Sequence, residues 1–419
     1  MQTHLSPEFR GTPEGEEAEA ILRQCVHCGF CTATCPTYQL LGDELDGPRG
    51  RIYLIKQLLE GAPVTRSTQL HLDRCLTCRN CESTCPSGVQ YGRLIDIGRH
   101  LVEQRVERPR GERTARWLLK EGLTSPAFGP AVAAGRALRP LLPARVKDKV
   151  TAAPGARAKL WPQREHKRKV LMLLGCVQPS LAPNINSATA RVLDAAGIQT
   201  LVADEAGCCG AIRGHLGDTE GALADMRRNI DAWWPLIEGL TSQGRVEALV
   251  LNASACGTTV KEYGLALAQD PAYADKARRV AELARDVGEL LPDIVAALKP
   301  RLKIAPGTRV AYHPPCSLQH GQKLRGGVED GLRELGFDVR LAAGESHLCC
   351  GSAGTYSVLQ PELSQALRRR KLANLAPLEA GVIVSANFGC IQHLQGGTAT
   401  PVRHWIELLD EALDRTSRV

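Results

Sequence analysis

The chain has 419 residues and a formal net charge of +7, and 43% of its residues are hydrophobic. At about 100–200 residues per domain, this length predicts two to four domains. No apolar run approaches the ~18–20 residues of a membrane span, and the first twenty residues lack the cationic head and apolar core of a secretion signal. Because sixteen cysteines indicate a reducing compartment, we expect a cytoplasmic protein that touches a membrane only peripherally, at its inner face.

A predicted helix over Glu14 to Leu22 leads into the first of two cysteine-rich runs. The runs, CVHCGFCTATCP and CLTCRNCESTCP, share the spacing C-x2-C-x2-C-x3-C-P. This spacing is typical of bacterial ferredoxins, in which three thiolates of one run and the last thiolate of the other hold each [4Fe–4S] cluster. It predicts two clusters with crossed ligands: Cys25, Cys28, Cys31 and Cys85 for the first, and Cys75, Cys78, Cys81 and Cys35 for the second.

Zinc binding and a thiol redox pair are the alternatives for an isolated C-x2-C unit. Zinc takes four ligands and uses neither a third cysteine at this spacing nor the trailing Cys-Pro. Two matching runs of four cysteines therefore favour iron–sulfur clusters. A protein with two such clusters carries single electrons.

The residues around the two runs are predicted to be helical. Forty residues separate Cys35 from Cys75, more than a compact β-hairpin ferredoxin needs. We therefore expect an α-helical ferredoxin module with two [4Fe–4S] clusters over residues 1–104. Two stripes of apolar residues at helical spacing support it, namely Ile52, Ile55, Leu58 and Leu59 between the runs and Leu94, Ile97, Leu101 and Val102 after them.

A basic, proline-rich segment follows this module. Residues 99–169 contain 18 Lys or Arg against six Asp or Glu, a net charge of +12. We predict a linker with short helices over residues 105–168, which is either solvated or a docking surface for an acidic partner subunit or an anionic membrane face. Since nothing resembling a recognition fold accompanies the charge, we expect no nucleic-acid binding.

From Val170 onward the sequence repeats itself. KVLMLLGC matches RVAYHPPC, both repeats carry CCG, and EALVLNASACG matches GVIVSANFGC. The matching cysteines are 140, 141 and 134 residues apart, which predicts a duplicated unit over residues 169–300 and 301–419. Short apolar strands alternating with longer helices predict α/β sheets, and each cysteine follows a strand, at the edge where such sheets bind ligands.

Four cysteines from three loops are expected to converge in each repeat. Histidines 313, 347 and 393 lie within three residues of cysteines of the second repeat, and imidazole can replace thiolate at an iron–sulfur site. These cysteines could hold one further iron–sulfur cluster or serve a structural role without metal. The histidines could be metal ligands or could cap loops. The candidate ligands are Cys176, Cys208, Cys209 and Cys256 in the first repeat and Cys316, Cys349, Cys350, Cys390 and His393 in the second.

The CCG motifs resemble the cysteine-rich domains shared by heterodisulfide reductase subunits and anaerobic glycerol-3-phosphate dehydrogenase subunits. In heterodisulfide reductase such a domain ends in C-x-x-C, and its five cysteines hold a non-cubane cluster. This chain departs from that pattern, because Thr259 and His393 stand where the fifth cysteine would be. The resemblance therefore does not extend to disulfide-cleaving chemistry.

Taken whole, the chain resembles the iron–sulfur subunits of bacterial glycolate oxidase (glycolate dehydrogenase), a family that combines ferredoxin-type and CCG domains. The most specific stretches include CLTCRNCESTCPSG, GCVQPSLAPNINSATARVLD, AGCCGA, HLCCGSAGTY and VRHWIE. The resemblance implies a membrane-associated complex with an FAD-containing subunit and a second flavoprotein-like subunit. The flavin subunit would oxidise glycolate to glyoxylate, and this subunit would pass electrons toward membrane quinone.

Missing motifs point the same way. No G-x-G-x-x-G follows a predicted strand, so we expect neither flavin nor nicotinamide on this chain, and no catalytic residues. Because a hydride from a 2-hydroxy acid needs a two-electron acceptor, a separate flavin is required. The alternatives are a catalytic CCG subunit that reduces a disulfide or quinone directly, and the equivalent subunit for another 2-hydroxy acid such as lactate.

Overall fold

The computed structural model describes residues 1–141, 157–302, 304–305 and 307–416. The chain folds into a helical N-terminal module and two α/β units, each built on a four-stranded parallel sheet. Within these ranges, no helix is both long enough and apolar enough to cross a membrane.

Residues 1–105, which the structure describes in full, form seven α-helices around one apolar core. The Thr12 side chain caps the first helix by accepting a hydrogen bond from the Gly15 amide, and Pro13 occupies its first turn. All eight residues of the two predicted apolar stripes are buried. The helices are α1 Pro13–Gln24, α2 Phe30–Ala33, α3 Pro36–Leu41, α4 Pro48–Leu59, α5 Arg66–Asp73, α6 Asn80–Thr84 and α7 Tyr91–Arg105.

Two further helices, α8 Arg110–Thr124 and α9 Phe128–Leu138, form the segment that was predicted as a basic linker. Helix α8 packs against the first α/β unit, where Arg213 donates to the Glu121 carboxylate at 2.8 Å. This contact anchors the described part of the basic segment to the first α/β unit. Residues 142–156 lie outside the described residues.

The first α/β unit has the buried strands expected of a parallel sheet covered on both faces. Its third strand is buried along its whole length, and its first strand over its last three residues. The strands are β1 Arg168–Met172, β2 Ile198–Leu201, β3 Ala248–Leu251 and β4 Ala284–Asp286. The helices are α10 Gln178–Leu181, α11 Pro183–Ala195, α12 Ala211–His215, α13 Thr219–Glu238, α14 Ser254–Lys261, α15 Tyr263–Ala266, α16 Ala274–Leu283 and α17 Leu291–Leu298.

The second α/β unit repeats this order with shorter connections. Its strands are β5 Arg309–His313, β6 Asp338–Arg340, β7 Val382–Ser385 and β8 Val402–His404. Its helices are α18 Gly327–Glu334, α19 Tyr356–Leu359, α20 Pro361–Leu375, α21 Phe388–Gln395 and α22 Trp405–Thr416. A π-helical turn over Ser317–Gly321 follows β5.

The two sheets share one topology, which confirms the predicted duplication. The strand orders are β2-β1-β3-β4 and β6-β5-β7-β8, with all pairs parallel. The order reverses between β1 and β3 and between β5 and β7, which opens a crevice at the carboxyl ends of these strands. The prediction omits β4 and β8, which no cysteine motif follows in the sequence.

The two α/β units share an apolar core. Helix α11 packs against α22, where Arg191 donates two hydrogen bonds of 2.6 Å to the Asp410 carboxylate. The cysteine loops also touch, because Ser254 Oγ, after β3, lies 2.7 Å from Ser317 Oγ, after β5. The ligand-binding crevices of the two sheets are therefore neighbours.

The N-terminal module is joined to both units by contacts between residues far apart in sequence. Arg79 forms a two-bonded ion pair with Glu262 of the first unit. Ser83 Oγ lies 2.9 Å from His320 Nδ1 of the second unit. These contacts hold the second cysteine run of the module against the cysteine loops of the sheets.

Candidate metal centres

Five cysteines of the N-terminal module line a small cavity of about 30 Å³. They are the four predicted ligands of the first cluster, Cys25, Cys28, Cys31 and Cys85, together with Cys81. Helix ends position three of these segments, because Cys25 caps α1, Cys85 caps α6, and the left-handed Gly29 starts α2. Cys28 is exposed, whereas burial and the nearby Cys25 thiol raise the pKa of Cys31 to about 11.

A second cavity of about 20 Å³ adjoins the first. Cys35, Cys75, Cys78 and Cys81 line it, and Cys81 lines both cavities. Burial raises the pKa of Cys78 and of Cys81, and the Cys316 thiol of the second repeat adds to the effect on Cys78. Since thiols bind metal as thiolates, binding here releases protons.

A buried polar group holds the two cysteine runs together. The Arg51 guanidinium, 1% exposed, donates to His71 O at 2.7 Å and to Thr37 Oγ1 at 3.2 Å, and pairs with the fully buried Asp46 at 3.4 Å. Thr37 Oγ1 in turn lies 3.3 Å from Cys35 Sγ. This group was not predicted from the sequence, although Arg51 lies beside the apolar stripe of α4 and could have indicated it.

In the first repeat, four thiols from three loops form a hydrogen-bonded row. Cys176 follows β1, Cys208 and Cys209 follow β2, and Cys256 lies on α14 after β3. The row runs from Cys176 through Cys208 and Cys209 to Cys256. Hydrogen bonds from Cys176 and Cys209 lower the pKa of Cys208.

Two buried polar side chains hold the CCG loop of the first repeat. Asn229 donates to Cys208 O at 2.7 Å and accepts from the Gly207 amide at 2.8 Å. The Tyr263 hydroxyl donates to Cys209 O at 3.0 Å. Neither residue stands in a recognisable motif, and only their burial beside the loop identifies them.

The second repeat carries an equivalent row of thiols. Cys316 Sγ lies 3.8 Å from Cys349 Sγ, and hydrogen bonds continue through Cys350 to Cys390. The hydrogen bond with Cys349, together with burial, raises the pKa of Cys316. Lys371, 2% exposed, donates to Glu345 O at 2.6 Å and so fixes the loop that leads into the CCG motif.

The three histidines of the second repeat lie in different surroundings. His313 ends β5, and one ring nitrogen and the sulfur atoms of Cys350 and Cys390 all lie within 4.8 Å of one another. His393 Nε2 lies 3.3 Å from both the hydroxyl and the carbonyl oxygen of Ser364. His347 is half-buried, and its carbonyl lies 2.9 Å from another imidazole, that of His320.

A central cavity of about 1360 Å³ lies between the N-terminal module and the two α/β units. Cys78 packs beside Cys316 and Cys349 at its wall, so the second cysteine group of the module adjoins the thiols of the second repeat. The cysteines that line the cavity are Cys75, Cys78, Cys176, Cys208, Cys209, Cys256, Cys316, Cys349 and Cys390.

Several cations of the basic segment pair with acids elsewhere in the chain. Arg108 contacts Asp73 at 2.6 Å, and Arg168 contacts Glu247 at 2.8 Å. Its excess charge is therefore partly neutralised within the chain. Three further cations of the segment, Arg145, Lys147 and Lys149, lie outside the described residues.

Family comparisons match both halves of the architecture. The model of a 4Fe-4S dicluster domain matches residues 21–89, and that of a cysteine-rich domain (CCG) matches residues 170–261 and 310–395. The two CCG matches cover the first three strands of each sheet, β1–β3 and β5–β7. The dicluster match lies within the helical module and includes all eight cysteines of its two runs.

Two relatives match over 90% or more of the chain. The glycolate oxidase iron–sulfur subunit of Escherichia coli K12 is 55% identical, over 99% of this chain and 100% of that protein. A probable glycolate oxidase iron–sulfur subunit of Bacillus subtilis 168 is 28% identical over 90% of this chain and 89% of its own length. A lactate utilization protein A of Bacillus velezensis is 25% identical but spans only 54% of this chain, and 91% of its own.

Proposed function

Because the chain belongs to the family of glycolate oxidase iron–sulfur subunits, we propose that it is the electron-transfer subunit of a glycolate oxidase complex. It takes electrons from an FAD-containing subunit that oxidises glycolate to glyoxylate and passes them toward membrane quinone. A second flavoprotein-like subunit completes the complex, which associates peripherally with the inner face of the cell membrane.

The grouping of eight cysteines around two adjoining cavities carries this proposal. Each cavity offers at least four sulfur donors, with Cys81 at both, and thiolates are the ligands that [4Fe–4S] clusters take. We assign Cys25, Cys28, Cys31 and Cys85 to one cluster and Cys75, Cys78, Cys81 and Cys35 to the other. Bound there, the clusters supply one-electron acceptors, while the chain positions the thiolates and excludes water from the inner group.

The thiol groups lie in a sequence along which electrons would pass from the surface toward the second repeat. The first group reaches the surface at Cys28, the second shares Cys81 with it, and Cys78 of the second group adjoins Cys316 of the second repeat. We therefore divide the chain into a ferredoxin module (1–104), a linker (105–168) and two CCG repeats (169–300 and 301–419). Neither flavin nor nicotinamide is assigned to any of them.

One observation favours a second candidate function. The central cavity lies against thiols of both repeats, so a small oxidant such as a disulfide or a quinone would reach them there. Against it, Thr259 and His393 replace the fifth cysteine of disulfide-reducing domains. A role with lactate is not favoured, because the lactate utilization relatives match at lower identity and over about half of the chain.

We expect the purified chain alone to leave glycolate unoxidised, and glycolate-dependent dye reduction to appear when the flavoprotein subunits are co-expressed. The reason is that this chain supplies no two-electron acceptor for the substrate hydride. Dye reduction by the isolated chain, free of bound flavin, would overturn the assignment. Lactate in place of glycolate, with the same co-expressed subunits, serves as the control for substrate class.

A further inference from the structure

The imidazole of His313 is buried in an unusual way. It stands at the carboxyl end of β5, beside the point where the strand order reverses, and is 1% exposed. Among the described residues, neither of its ring nitrogens has a hydrogen-bond partner. Burying an unpaired polar group is unfavourable by roughly 1–3 kcal/mol, so a native protein that keeps one has a use for it.

The neighbours of the ring are sulfur atoms. One ligand atom from each of His313, Cys350 and Cys390 lies within 4.8 Å of the other two, and both cysteines are buried. Cys316 and Cys349 extend the group, with their sulfur atoms 3.8 Å apart. Donors around a tetrahedral metal, with bonds of about 2.0–2.3 Å, lie roughly 3.5–3.8 Å from one another, which is the spacing of the Cys316–Cys349 pair and is within the 4.8 Å limit of the other three ligand atoms.

We propose that the second repeat binds a thiophilic transition metal whose ligands include the His313 imidazole together with the Cys350 and Cys390 thiolates. On binding, each thiol loses its proton to solvent, whereas the neutral imidazole offers a lone pair and loses none. The ligand chemistry is the same for a single ion and for the iron of a sulfide cluster. Counting of metal and sulfide distinguishes the two.

The other histidines of the repeat are less suited to this role. His393 Nε2 is within 3.3 Å of Ser364 oxygens, and the half-buried His347 is absent from the set of converging ligand atoms. The spacing of the sequence does not separate the three, because each lies within three residues of a cysteine. The surroundings of the three imidazole rings distinguish them.

The first repeat supplies an internal comparison. Leu173 stands at the position that matches His313, three residues before the first cysteine of the repeat. The first repeat therefore offers thiols alone, and the second offers thiols with an imidazole. Exchange of a thiolate for a neutral imidazole removes one negative charge, which raises the reduction potential of an iron site.

The decisive variant is His313→Leu in the full chain, which copies the first repeat, with His393→Asn as the matched control. We expect His313→Leu to lose the metal of one site, measured as iron, zinc and acid-labile sulfide per chain, and His393→Asn to keep it. Loss of iron with sulfide identifies a cluster, and loss of metal alone a single ion. Unchanged metal content and an unchanged absorption spectrum in His313→Leu would overturn the proposal.

A second variant covers the case in which the leucine chain does not fold. His313→Cys keeps a metal-binding donor at the position, so we expect the metal to remain with a shifted absorption or paramagnetic resonance spectrum. A residue that only fills space would leave the spectrum of the cysteine variant identical to that of the wild type, which contradicts a ligand role. Because the site is additional to the two clusters of the proposed function and glycolate oxidation is not the readout, either proposal can fail alone.

Discussion

Arg51 links the two cysteine runs through a buried ion pair and hydrogen bonds. Its guanidinium is buried against the Asp46 carboxylate and donates to groups beside Cys35 and ahead of Cys75. Asp46 also pairs with Arg74 at 2.7 Å, so the specific contribution of Arg51 is its hydrogen bonds to His71 O and Thr37 Oγ1. The orientation of the cysteine loops therefore depends on a residue that binds no metal itself.

We expect Arg51→Met to lower the free energy of unfolding by about 1–3 kcal/mol, because His71 O and Thr37 Oγ1 lose a buried donor while Asp46 keeps its 2.7 Å ion pair with Arg74. Arg23→Met is the control, since Arg23 pairs with Glu19 on the surface and is 65% exposed, and its loss should change stability little. Denaturant unfolding of the full chain without oxygen measures both. Equal stability of the two variants would contradict the structural role of Arg51.

The Cys85 side chain tests the crossed assignment of ligands. Cys85 belongs to the second run but lies with Cys25, Cys28 and Cys31 around the first cavity. We expect Cys85→Ser to weaken the cluster of the first run, and Cys35→Ser to weaken that of the second, because a serine hydroxyl is a poorer ligand for iron than a thiolate. Paramagnetic resonance of the reduced protein distinguishes the two, and the opposite pattern would contradict the crossing.

At the scale of elements, the turn after each CC pair depends on a glycine. Gly351 has φ of +92°, and a Cβ atom on it would lie 2.4 Å from Ser364 O and 2.9 Å from Leu367 Cβ. Gly210 of the first repeat is alike, with φ of +94° and Ala222 O 3.0 Å from such a Cβ. The close approach of helix and loop explains why the motif ends in glycine.

We expect Gly351→Ala to be less stable than Gly354→Ala by about 1–3 kcal/mol. Both positions have positive φ, so both variants carry the same kind of backbone penalty, but a Cβ on Gly354 meets nothing within 4 Å. The difference thus isolates the overlap with the helix. Thermal unfolding of the two variants measures it, and similar melting temperatures would show that the loop moves aside.

Some secondary-structure elements could be predicted from the sequence and others could not. The duplication, the sheets and the position of each cysteine at a strand end followed from spacing and alternation. The edge strands β4 and β8 did not, because no cysteine motif follows them. The surroundings of His313 and the group around Arg51 did not either, because all of their partners except Asp46 are 14 to 77 residues away and meet only after packing.

For the whole molecule, the basic segment remains a proposed docking surface. Part of its charge pairs internally, as at Arg108 and Arg168, which favours a structural contribution beside any docking. The cations chosen for a test come from its centre and are Arg136, Arg139, Arg145, Lys147 and Lys149. Charges on a protein surface act through a field screened over about 10 Å at 0.1 M salt.

We expect neutralisation of these five cations to weaken assembly or membrane association at low salt, with little change at high salt and unchanged iron content. Pull-down of the flavin subunits and sedimentation with anionic vesicles measure the two kinds of association. A variant with Arg278 and Arg340 neutralised, which lie outside the segment, is the control. If the neutralised chain matches the wild type in both assays at both salt concentrations, the segment is a linker only.

The exposure of Cys28 has a consequence for the lifetime of the protein. Cys28 is exposed, whereas Cys349 and Cys350 are 2% and 1% exposed. Attack by peroxide on sulfur follows access, and each step beyond sulfenic acid is hard to reverse. On the proposed ligand assignment, oxidation in air therefore begins at the first cluster, which would lose its exchange with outside electron donors while the buried sulfur atoms of the second repeat are still intact.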